Sequence, residues 1–173
     1  MAKKNISILI TLCLWLFLGV LCNNGKAFAD ETYTIKAGVS MVSKVPNSFY
    51  GTWRVSSVRV STNSEETFKD KTVDLWNLSR SGNVITLENP FSGARSSIVV
   101  DEVSGKLIKF KKNGIYDGKK ATDIVQLQLG GDSFSGTNIL ILNTISETDQ
   151  HVVKSERATY RLTGEKISGA SLK

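Results

Sequence analysis

With 173 residues and a formal net charge of +6, the chain is long enough for one domain with its own hydrophobic core. Its two cysteines, Cys13 and Cys22, both fall within residues 1–29; with that segment removed, disulfides, thiol catalysis and cysteine metal sites are excluded. The same removal takes away three lysines and no acidic residue, which leaves 144 residues with a net charge of +3, a mild excess that calls for no polyanionic partner such as nucleic acid.

Residues 1–29 carry the marks of a signal peptide. Lys3 and Lys4 form a positive start, Ile6 to Cys22 an apolar run, and Ala27-Phe28-Ala29 a small-residue cleavage site. Cleavage is expected near Ala29-Asp30, leaving no membrane span and a secreted or periplasmic protein. The short positive region and the lack of mature cysteines suit a bacterial source. Residues 30–48 are mixed and polar and read as an N-terminal arm. Residues 49–165 form the β-domain and 166–173 a C-terminal tail.

From Gly51 onward the pattern is β throughout. Eight strands are expected, at about 51–61, 72–80, 83–88, 94–101, 106–112, 121–130, 133–142 and 151–163. Ile108 and Phe110 alternate with Lys109 and Lys111. Val125, Leu127 and Leu129 alternate with Gln126 and Gln128. Ala158, Tyr160 and Leu162 alternate with Arg157, Thr159 and Arg161. One dry face and one wet face is the mark of antiparallel sheet. Residues 139–142 (Ile-Leu-Ile-Leu) are apolar on both faces and call for a cover outside, from the arm or a partner.

Ser81-Gly82-Asn83, Asn89-Pro90, Ser104-Gly105, Asn113-Gly114, Asp117-Gly118 and Gly130-Gly131-Asp132 punctuate the strands with turn chemistry. No connection is long enough for a parallel crossover. The expected fold is therefore all-β, an eight-stranded antiparallel up-and-down barrel, with a β-sandwich as the alternative. Closure removes the two exposed edges of a meander.

At Gly51-Thr52-Trp53, preceded by Phe49-Tyr50, the chain resembles the first motif of the lipocalins and the wider calycin group. The resemblance implies a ligand-holding barrel closed at one end by Gly51 and Trp53, with Arg161 of the last strand, or Arg157, packed across the indole. It covers the first and last strands and the strand count. The lipocalin disulfide and the Thr-Asp-Tyr motif are missing. Fatty-acid-binding proteins share Gly-Thr-Trp, but residues 62–71 cannot hold their two helices, and the further tryptophan motifs of avidins are absent.

The expected function is an exported lipocalin-like binding protein holding a small, largely apolar ligand, with no cofactor. Trp76, Leu78, Phe91 and Tyr160 are the candidate ligand contacts. The alternative is an envelope interaction module with a filled barrel, meeting a protein partner through Phe91 or residues 139–142. No enzyme is expected. His151 is the only histidine, no nucleophile–base pair stands out, and the carboxylates are too scattered to argue for a metal. Lys106, Lys109, Lys111, Lys112, Lys119 and Lys120 cluster in sequence, and the alternation reads them as a wet strand face.

Overall fold

A computed structural model describes residues 41–169. The signal segment, its cleavage site and most of the arm lie outside the described residues. Two short 3-10 turns, Met41–Lys44 and Asn47–Phe49, lead into eight strands: β1 (Gly51–Thr62), β2 (Lys71–Ser81), β3 (Val84–Glu88), β4 (Arg95–Ser104), β5 (Leu107–Tyr116), β6 (Lys119–Leu129), β7 (Ser133–Ile145) and β8 (Val152–Ser168). Each strand pairs antiparallel with its sequence neighbours, and β8 pairs back with β1, so the sheet closes on itself as an eight-stranded barrel.

The alternation read from the sequence places the core. Val55, Ile85, Ile108, Val125, Leu127, Ala158 and Leu162 are buried inside. Leu140 and Leu142 also face the core, while Ile139 and Ile141 are half-buried on the other face of β7. The described part of the arm does not cover them. It sends Val42, Val45 and Phe49 into the core and lies against β4.

Several strands run further than the periodicity suggests, β5 and β8 the furthest. Asn113-Gly114 does not turn the chain: Asn113 pairs with Thr122 and Gly114 with Ala121. The reversal comes at Asp117-Gly118, both with positive φ (48° and 73°), the geometry a tight right-twisted hairpin needs. The last strand continues past residue 163 to Ser168 because Gly164 and Lys166 keep the inward parity without being apolar.

The barrel has two unlike ends. The turns at Gly82, Gly105 and Gly131 gather at the end where β1 begins, and this end is plugged. Trp53 is fully buried there, directly opposite Trp76. Phe134 lies between the two indoles, 5.1 Å from Trp53 and 6.0 Å from Trp76 between ring centroids. Phe110 meets Phe49 and Trp76 edge-on. Gly51 is required at the seam: its φ is +120°, and a Cβ there would lie 2.3 Å from the Ser168 carbonyl oxygen.

Candidate functional site

The other end, where residues 63–70, 89–94, 117–118 and 146–151 connect the strands, is not filled. A cavity of about 640 Å³ occupies this half. Trp76 and Tyr160 line it from β2 and β8, joined by Leu87, Leu140 and Leu142. Small residues make the space: Gly114 and Ala121 sit opposite each other on β5 and β6.

Three polar side chains enter the wall from consecutive strands. Lys112 of β5 faces Asp123 of β6 directly, with the ammonium 3.2 Å from the carboxylate. Asn138 of β7 donates its Nδ2 to Asp123 Oδ1 at 2.7 Å. Lys112 and Asp123 thus pair by charge in a partly desolvated setting, where such contacts are stronger than in bulk water.

Residues 63–70 are fastened over the opening. Phe68, only 4 % exposed, contributes to the cavity lining from this segment. Arg59 donates to the Phe68 carbonyl at 2.5 Å and pairs with Asp70. The Tyr160 hydroxyl donates to the Lys69 carbonyl at 3.2 Å, and burial raises its pKa. Asn63 accepts the Arg157 backbone N–H at 2.7 Å.

The main clasp is Glu156 of β8, whose side chain is 2 % exposed. Its carboxylate accepts from Lys119 at 2.5 Å, Thr67 at 2.7 Å, Ser64 at 2.8 Å and Lys154 at 2.9 Å. These donors, Lys119 foremost, hold the Glu156 carboxyl far below its ordinary value of 4.5. A carboxyl depressed in the folded state contributes stability above its unfolded pKa and loses it as the pH falls through the folded one. On acidification from about pH 6 to about pH 3, the melting temperature of the native protein is therefore expected to fall more steeply than that of Glu156→Gln. The variant should start lower and run flatter. Parallel slopes by circular dichroism would rule out this clasp.

Of the candidate contacts, Trp76 and Tyr160 line the cavity. Leu78 does not: it is buried in the plugged half, paired with Gly51 and Leu87. Phe91 does not either. It stands 84 % exposed on the rim, in a turn built by Asn89, which accepts the Phe91 and Ser92 N–H groups and donates to Asp74 at 2.8 Å.

The cation over Trp53 is Lys166, not Arg161 or Arg157. Lys166 Nζ lies 4.6 Å from the ring centroid and donates to the Ser48 and Tyr50 carbonyls at 2.6 and 2.9 Å. Burial lowers its pKa. Arg157 and Arg161 are exposed on the outward parity of β8, and Arg161 pairs across from Val58. An arginine of that parity cannot reach an inward indole.

The lysine cluster also divides. Lys109 pairs with Glu102 at 2.7 Å and Lys111 with Asp101 at 3.0 Å, whereas Lys112 turns into the cavity. His151 meets Asp149, which also bonds Ser146. The carboxylate rather than the imidazole stands between the other two, which is not the order of a nucleophile triad. Among the described residues, no three side chains gather that could hold a metal ion.

No protein-family model matches the chain, and no curated protein and no solved structure matches it.

Proposed function

We propose that this is an exported, lipocalin-like binding protein that takes one small amphipathic ligand into the open half of its barrel. The observation that carries the reading is the cavity of about 640 Å³ between Trp76, Tyr160 and Phe68. Its size matches ligand sites, which span ~300–1,000 Å³ and combine an apolar lining with a few fixed polar groups. Lys112, Asp123 and Asn138 are such groups, so the ligand is amphipathic rather than largely apolar. The leader at residues 1–29 supports export.

Native mass spectrometry against a panel of long-chain lipids and pigments tests this. A complex of one ligand per chain is expected, with a rise in melting temperature and a change in Trp76 fluorescence. Ala121→Phe fills the cavity from β6 and should abolish binding while the protein stays folded. A folded protein that binds nothing in the panel overturns the reading.

A second reading, an envelope interaction module, draws on Phe91 and on Ile115, which is 72 % exposed beside the mouth. Light scattering showing a strict monomer and an empty pull-down would exclude it.

A further inference from the structure

We propose that the outer wall formed by β7, β8, β1 and β2 docks on a membrane surface rich in anionic lipid, without crossing it. The inference stands on the outside of the barrel and is independent of what the cavity holds.

Strand alternation and the ladder registers build this face. Val58 of β1 lies between Lys71 of β2 and Arg161 of β8. Val73 of β2 lies across from Ser56, and Ser56 across from Thr163. On β7, Ile139 faces Thr159 and Ile141 faces Arg157. All have the parity opposite to the core residues, and side chains directly opposite on one face of a ladder are neighbours. Val58, Val73 and Val60, the last at the bulge of β1, are 44 to 68 % exposed. The wall therefore sets open apolar side chains among cations.

Its charge is one-sided. The outward positions from β6 round to β2 carry Arg54, Lys71, Lys120, Arg157 and Arg161 against a single carboxylate, Glu165. Glu165 is taken by Arg54, and the other four cations make no ion pair with any described residue. Further acids border the face in the connection 63–70. Of these, Asp70 is held by Arg59 and Glu66 accepts from Ser64, while Glu65 is exposed. On the opposite side of the barrel, Lys109 and Lys111 of β5 are matched by Glu102 and Asp101.

Shape and composition select the partner. A closed barrel offers no strand edge for β-addition, and its convex outside has no groove for an extended peptide. A protein interface gathers aromatic anchors at a centre depleted of charge. The outward positions of this wall hold no aromatic side chain, and its cations stand beside the valines. Lipid headgroups suit that mixture: phosphates meet the guanidinium groups, which bind them bidentately, and the valines and isoleucines enter the boundary of the acyl layer.

The test uses protein recovered after export, so that the apolar leader does not contribute. Cosedimentation compares vesicles of phosphatidylglycerol and phosphatidylcholine in equal parts with vesicles of phosphatidylcholine alone. Binding to the anionic vesicles is expected to be at least about tenfold tighter, and to weaken as salt rises beyond ~0.15 M. Lys71→Gln, Arg157→Gln and Arg161→Gln together should lower it by about tenfold or more. Lys106→Gln, Lys109→Gln and Lys111→Gln, which remove the same charge from the opposite side, should leave it in place. Should the first triple variant fail to fold, Arg161→Gln alone decides, with an expected loss of about threefold or more. Equal binding to both vesicles, binding to neither, an unaffected first triple variant or an equal loss in the second overturns the proposal. Binding to poly-glutamate but not to vesicles assigns the face to an acidic protein instead, and dimers in light scattering that the first triple variant abolishes assign it to a second copy; either result overturns the lipid assignment.

Discussion

Trp53→Ala is expected to cost about 3–5 kcal/mol of folding stability, the range for deleting a large aromatic from a packed core. The indole is fully buried, and three structures depend on it. Its Nε1 donates to the Phe49 carbonyl at 2.9 Å, holding the last 3-10 turn across the barrel end. Its face receives Lys166. Its edge supports Phe134, which in turn stacks beneath Trp76. Alanine leaves a void, a carbonyl without its donor and a partly buried ammonium without its ring.

Trp53→Phe refills most of the void but not the donor, so it should cost less, about 1–3 kcal/mol. Arg161→Ala, on the outer face, should stay within about 0.5 kcal/mol. Urea unfolding followed by circular dichroism ranks the three. A Trp53→Ala loss near that of Arg161→Ala would refute the closure role.

Gly164→Ala is expected to destabilise by about 1–3 kcal/mol or more, the cost of overpacking a core that cannot give way. A Cβ at this position would lie 2.1 Å from Phe134 Cε1 and 2.2 Å from Cζ. The ring covers the glycine, a known way for an aromatic to compensate a strand glycine. It has nowhere to retreat, since Trp53 and Trp76 flank it. Pushing Phe134 would drive Trp76 into the cavity, so ligand affinity should fall together with stability.

Phe134→Leu alone should also destabilise. Combined with Gly164→Ala it should cost clearly less than the two separate losses added together, because the smaller side chain makes room for the methyl group. A strictly additive double mutant would show that ring and glycine do not meet as described.

How far the site was legible can be followed residue by residue. Lys112 shares the parity of Ile108 and Phe110, Asp123 that of Val125 and Leu127, and Asn138 that of Leu140 and Leu142. Each is inward by simple alternation. Lys112 reads as a surface residue with its cluster, and Asp123 and Asn138 do not stand out, because a polar side chain at the end of an apolar alternation looks like the point where burial stops. Here it marks where the plug ends and the cavity begins. Phe68 could not be found in this way. It sits in a loop with no period, and its inward position depends on Glu156, Arg59 and Tyr160, all distant in sequence or on other strands.

The sequence by itself determined the strand count, the meander order and the dry and wet faces, because turn chemistry and a period of two are local properties of the chain. It also placed Gly51 and Trp53 at the start of the first strand and Tyr160 on the dry face of the last one, and it named Trp76 as a candidate contact without settling which way that side chain points. The alternation of the last strand by itself turns Arg161 outward; only the tertiary structure decided that Lys166 covers Trp53, since the register of β1 against β8, including its bulges, sets that residue against the indole. It alone divided the interior into a filled half and an empty one. That division depends on side-chain volumes summed across eight strands, with Phe134 over Gly164 in one half and Gly114 beside Ala121 in the other, and no single stretch of chain carries that sum.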